Sequence, residues 1–232
     1  MGSRRLAAAA GLVRAAHPLP CLTVSAIAAG FAAASGRSAW DCVAVGITTL
    51  ASQLLIGWDN DYVDRDRDAA VARSDKPLVA GVVQASTVRI AAISAAVGFL
   101  TSLLWHPALA GLVLVLATIS AIGYNRGLKA GPLSPLPYAI SFGLLPAFVT
   151  LGADPPVWPP GWITVAAALL GVGAHFANAL PDIVDDLATG VRGLPARLGA
   201  RWAALVAAGC LATAGALLAA GSGSLTEPAG AG

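Results

Sequence analysis

Six stretches of this chain carry no Asp, Glu, Lys or Arg, and their lengths limit what it can fold into. They run Ala15–Gly36 (22 residues), Cys42–Trp58 (17), Ile90–Asn125 (36), Ala130–Ala153 (24), Pro155–Pro181 (27) and Trp202–Thr226 (25). A helix that crosses a bilayer needs about 20 predominantly apolar residues. As one helix the 36-residue block would be about 54 Å long, against about 30 Å of hydrocarbon. Trp105-His106-Pro107 divides it, because proline can open a helix but cannot continue one. Seven helices follow, at roughly 16–36, 40–58, 84–105, 107–124, 136–152, 161–181 and 201–221. The expected fold class is all-α, a multi-pass transmembrane bundle over 16–221. A cytoplasmic segment, 1–15, precedes it, and a Gly/Ser-rich flexible tail, 222–232, follows.

Composition rules out the soluble alternative. Hydrophobic residues make up 57% of the 232 and charged residues only 11%, where soluble domains carry about a quarter charged. Cys21, Cys42 and Cys210 all fall inside apolar blocks. That number and placement suit neither a disulfide framework nor a zinc site. Arg4 and Arg5 followed by alanines imitate a signal peptide, but Arg14 interrupts the run and the next block is long enough to span. The segment therefore reads as a retained anchor. Position 6 is Leu6, without the hydroxyl expected for myristoylation.

Seven helices put 13 of the 14 Lys and Arg residues on one side, with Arg37 alone opposite. Lys/Arg bias sets orientation, so that side is cytoplasmic and the chain is a multi-pass protein of the cell membrane. The net charge of +2 is then a topological signal, and no nucleic-acid partner is implied. Nine of the 12 acids share the same side, which the positive-inside rule does not explain.

These acids form two motifs. The first, Asn60-Asp61-Tyr62-Val63-Asp64-Arg65-Asp66-Arg67-Asp68, follows directly on the second apolar block. If the helix continues, Asp61, Asp64 and Asp68 fall at i, i+3 and i+7 on one face, and Asn60 lies on nearly the same stripe. Like charges at that spacing destabilise a helix unless a cation offsets them. The second, Asp182-Ile183-Val184-Asp185-Asp186, ends the sixth block, with Asp182 and Asp186 at i, i+4. One Asp-Arg-Asp-Arg-Asp run alone is usually a solvated loop. Two acidic motifs ending apolar helices on one side point to hard oxygen ligands for magnesium. A calcium loop over 64–75 is disfavoured, because Ala69 stands where such loops need glycine.

The same side carries Arg65, Arg67, Arg73, Lys76, Arg126, Lys129 and Arg192. Carboxylates and basic groups around one opening suit a magnesium–diphosphate complex. An apolar cavity behind it suits an isoprenoid diphosphate, its tail among the helices and its head at the cytoplasmic rim.

In these motifs the chain resembles the UbiA superfamily of intramembrane prenyltransferases. The family pattern Asn-Asp-x-x-Asp-x-x-x-Asp is matched by Asn60, Asp61, Asp64 and Asp68. Its Arg-x-x-Arg-Pro-Leu-x-x-Gly continuation appears as Arg73-Ser74-Asp75-Lys76-Pro77-Leu78-Val79-Ala80-Gly81, with lysine for the second arginine. Its Asp-x-x-x-Asp matches Asp182 and Asp186, and Gly190–Gly199 also looks like family sequence. The resemblance covers roughly residues 10–220. It implies magnesium held by Asn60, Asp64, Asp182 and Asp186, with Asp61 and Asp68 assisting. It also implies a diphosphate drawn on by Arg73 and Lys76, and an allylic carbocation captured by an aromatic or quinone-type acceptor. Tyr124 and Lys129 stand for the family's Tyr-x-x-x-Lys, here one residue longer, and with Arg126 are the remaining diphosphate contacts expected.

The family typically has nine helices against seven here, so a homodimer that closes the cavity, a truncated enzyme and a non-catalytic diphosphate binder all stay open. A membrane terpene cyclase would use the same metal site. An ion transporter would want its acids at mid-membrane instead. His175, with Asn178, lies close to the second motif as a candidate acceptor contact or base, although a histidine in a membrane helix is more often hydrogen-bonded to a neighbour. Trp40, Trp58, Trp105, Trp158 and Trp162 mark expected interfaces, and Arg89 snorkels to the cytoplasmic edge.

Overall fold

The structure is a computed structural model that describes residues 2–224, with side chains described for 5–221. Most of the expected tail, 225–232, lies outside the described residues. The rest is helical, and no strand occurs among the described residues. The helices are α1 (Gly2–Ala15), α2 (Pro18–Ala34), α3 (Ala39–Ala70), α4 (Ala85–Ser102), α5 (Ala108–Asn125), α6 (Pro135–Thr150), α7 (Gly161–Ala179), α8 (Ile183–Ala188), α9 (Leu194–Leu198) and α10 (Ala200–Ser224). All seven expected apolar helices are present. Five are long and apolar enough to cross a membrane by themselves, α1 and α2 form a pair bent by 55°, and α6 is a shorter apolar helix.

Local chemistry explains most boundaries. Ser38 caps α3 by accepting the Asp41 amide at 3.2 Å, which satisfies one of the donors a helix start leaves over. The 36-residue block breaks where expected: a 3-10 turn over Leu103–Trp105, extended His106, then Pro107 as the N-cap of α5. One difference is decisive for function. The second helix does not end near Trp58 but runs on to Ala70. No glycine or proline lies between Gly57 and Pro77, so nothing stops it where the apolar residues end. By contrast, the sixth expected helix (161–181) ends at Ala179, and a 3-10 turn, Leu180–Asp182, carries Pro181 before α8 begins.

Leu104, Ile90, Ile119 and Leu19 are among the large apolar side chains facing outward, as lipid contact requires. Inside, Val45, Phe99, Leu114, Phe148 and Val149 form a core on α3 to α6. Above it are small polar pairs: Thr48 with His106 at 2.9 Å and Ser52 with Thr118 at 2.8 Å. Small residues let the helices touch. A side chain at Gly171 would meet the Tyr138 carbonyl of α6 at 2.5 Å, and one at Gly57 would run into the Ala16 carbonyl. The second contact seats the α1–α2 joint on α3.

Candidate functional site

The continuous α3 presents one face of acids, and that face is buried. Asp59, Asp61, Asp64 and Asp68 are at most 6% exposed. Carboxylates so placed need partners, and each has at least one. Asp59 accepts from Arg126 at 2.5 Å and from the Asn125 amide at 3.2 Å. Asp61 accepts from Lys76 at 2.7 Å and lies 2.9 Å from His17 Nε2. Asp64 is held by Lys129 and by Arg67 at 3.0 Å, and Asn60 Nδ2 donates to it at 3.2 Å. Asp68 has only a 3.8 Å approach from Arg67.

The second motif is more open. Asp182 and Asp185 lie 2.9 and 3.7 Å from Arg73, and Asp186 lies 3.6 Å from Arg67. Arg73 is tied also to Asp75, at 3.1 and 3.2 Å. Those bonds raise the arginine's pKa further and hold the Asp75 carboxyl below the usual carboxylate range. Burial pulls the Lys129 ammonium below the ordinary lysine value, although Asp64 works the other way. The two motifs therefore meet across Arg67, while Arg73 ties the second motif to Asp75 of the loop after α3.

All five expected metal ligands and all four expected basic contacts sit in this cluster. Each of Arg73, Lys76, Arg126 and Lys129 is engaged with a carboxylate. Tyr124 differs from them. Its ring packs edge-on against Tyr138 at 5.0 Å and His175 at 5.5 Å, in an aromatic layer one residue before Asn125. His175 is buried and shares a 3.0 Å hydrogen bond with Ser134 Oγ, which also accepts the Leu194 amide at 2.9 Å. Its role in this structure is to join α7 to α6 and α9.

Three participants were not singled out from sequence. His17 sits at the α1–α2 joint with φ 54, a left-handed conformation uncommon for any residue but glycine. Only its proline neighbour marks the joint in the sequence. Asn125 bonds Asn60, Asp59 and the Ile56 carbonyl; a lone amide at the end of an apolar block was the available signal. Arg67 counted only as one of several loop bases.

The donor set suits a hard divalent cation. Asp59, Asp61, Asp64, Asp68, Asp75, Asp182, Asp185 and Asp186 face Arg67, Arg73, Lys76, Arg126 and Lys129, an excess of three negative charges. Asp61 Oδ2 is buried without a partner, which is costly unless something charged or polar reaches it. Among the described residues no three acidic groups already converge as a ligand cluster, because the arginines and Lys129 stand between them. Two grooves, of about 460 and 390 Å³, lie elsewhere, and neither is lined by a motif carboxylate.

A family profile described as the UbiA prenyltransferase family matches residues 22–231. No curated protein sequence matches the chain. Among solved structures, a UbiA homolog from Archaeoglobus fulgidus bound to GPP and Mg2+ superposes with a TM-score of 0.73 at 21% identity, covering 90% of this chain and 76% of that one. The same homolog bound to DMAPP and Mg2+ gives a TM-score of 0.72 at 21% identity, with the same coverage of 90% and 76%. At this identity the likeness is one of fold.

Proposed function

The chain belongs to the UbiA prenyltransferase family, and from that premise we propose that it transfers a prenyl group from a polyprenyl diphosphate to an aromatic or quinone-type acceptor within the membrane, using magnesium. The observation that carries this is the meeting of two acidic motifs, from α3 and from the α7–α8 break, across Arg67 with negative charge in excess. The Archaeoglobus fulgidus homologs bound to Mg2+ with GPP or DMAPP support the choice of metal and donor.

Asn60, Asp64, Asp68, Asp182 and Asp186 would hold the metal, with Asp61 as a charged support. Bound there, magnesium supplies charge neutralisation of the diphosphate leaving group. Arg73, Lys76, Arg126 and Lys129 give up part of their grip on the carboxylates to take phosphate oxygens, for which arginine's planar fork is well shaped. Spread over the diphosphate, these cations favour the charge that develops as the C–O bond breaks. The aromatic layer of Tyr124, Tyr138 and Phe142 offers π faces to the allylic cation and keeps water from it. The site opens to the cytoplasm, in line with the Lys/Arg bias.

The test is diphosphate release from geranyl, farnesyl and geranylgeranyl diphosphates by protein in lipid, with and without magnesium. Magnesium-dependent release that disappears in Asp64→Ala and in Asp182→Ala is expected. Absence of release from every donor, with aromatic acceptors present, would overturn the reading. Analysis of the organic product distinguishes transfer from cyclisation.

A further inference from the structure

Among the described residues, Arg67 is the one side chain that forms ion pairs with both acidic motifs. It lies 3.0 Å from Asp64 and 3.8 Å from Asp68 on its own helix, and 3.6 Å from Asp186 across the cleft. All three carboxylates belong to the metal-ligand set proposed above. Arg67 thus stands where the metal's charge is needed, and it is itself still 26% exposed. Arg73, which touches the second motif alone, has a further partner in Asp75 and stays anchored if Asp182 is taken from it. Arg67 has no such reserve, since all its ion-pair partners are motif acids.

We propose that Arg67 is an exchangeable counter-ion: without ligand it bridges the two motifs, and when a divalent cation takes their carboxylates its guanidinium turns to the diphosphate. The inference rests on the proposed magnesium–diphosphate reading. Two cations cannot both lie against the same three carboxylates without repelling each other, so metal entry must displace one of them. The displaced guanidinium remains tethered to α3, a few ångströms from the metal, with its donor fork free. A dianionic phosphate brought by the metal is the strongest acceptor in reach. The exchange makes binding ordered, because an arginine released by the metal increases affinity for the diphosphate that follows.

This predicts effects of opposite sign, which a merely structural arginine does not give. The full-length protein in detergent is titrated with Mn2+ alone, read by electron paramagnetic resonance, and then with inorganic diphosphate in the presence of Mn2+, read by calorimetry. Arg67→Gln should bind Mn2+ alone on the order of fivefold more tightly, having lost a competing charge. It should bind diphosphate about tenfold more weakly, having lost a charge-assisted donor. Arg67→Lys keeps the charge without the fork, so its Mn2+ affinity should return to that of the unaltered protein while its diphosphate affinity recovers only in part. Loss of both affinities in Arg67→Gln, or no change in either, would overturn the counter-ion role. If the unaltered protein binds neither probe, the proposed function fails and this inference with it. Binding of both by the unaltered protein, with no opposite shifts in the variant, removes the inference alone.

Discussion

The two acidic motifs carry the same chemistry on different supports. The first stands on an unbroken helix, its four carboxylates nearly sealed and three of them pinned by close donors from α1–α2, the α3–α4 loop, α5 and the turn after it. The second stands where α7 has broken, on a 3-10 turn and six helical residues. Asp182 and Asp185 are about two-fifths exposed there, and among the described residues the motif's carboxylates form ion pairs with Arg67 and Arg73 alone. The first motif is built into the framework of the bundle, and the second is fastened to it at fewer points. Losses in the first should therefore damage fold and function together, and losses in the second function alone.

Asp64→Ala tests this most severely. It leaves Lys129 and Arg67 without their shared carboxylate, and orphaned buried charge costs about 3 kcal/mol or more. A lower thermal midpoint in lipid and complete loss of magnesium-dependent diphosphate release are expected. Asp182→Ala should lower release by about 100-fold or more, yet move the thermal midpoint little, because exposed pairs contribute under about 1 kcal/mol. Equal thermal damage from both variants would break the distinction. Gly57→Val probes what holds the first motif still. The new side chain meets the Ala16 backbone and should cost about 2 kcal/mol by overpacking, with a few-fold fall in release as His17 shifts away from Asp61. The smallest effect belongs to Asp75. Its carboxyl titrates below the ordinary value of 3.8 in the folded chain because of Arg73. Its contribution to stability is therefore complete above that ordinary value and lost as pH falls through the lower folded one. Asp75→Asn should flatten the acid limb of the stability profile slightly and leave neutral pH almost unchanged, as a thermal-shift series across pH 3 to 6 would show.

The bundle could be read from the chain because charge-free block length is a one-dimensional property. Most block boundaries reappear within a few residues of a helix end, the end of the second block at Trp58 being the main exception, and the Trp105-His106-Pro107 break lies where proline's missing amide requires it. The acid stripe of Asp61, Asp64 and Asp68 was legible on one condition, that the helix continue, and α3 meets it. What was not legible depends on approach in space. Nothing near His17 in sequence announces Asp61, 44 residues away, and nothing near Asn125 announces Asn60. The second motif's i, i+4 spacing suggested one helical face for Asp182 and Asp186, but Pro181 replaces a regular helix with a looser turn, and spacing alone does not tell the two apart. For Tyr124 the family pattern implied a phosphate contact, and nothing in the sequence signalled that its ring packs against Tyr138 and His175.

The length of α3 has a consequence of its own. Its 32 residues make a rod of about 48 Å, some 18 Å longer than the hydrocarbon layer is thick. If Ala39 stands at one face of the hydrocarbon, the residues after Trp58 reach the level of the lipid headgroups at the other. A molecule held there straddles two solvents, its ionic end bathed in water and its hydrocarbon end dissolved in the bilayer. On the proposed reading, cutting such a molecule at the junction would part the fragments by solubility, the inorganic ion to the water and the carbon chain to the lipid. The helix would then work as a phase-transfer device, its overhang keeping one product from meeting the other again.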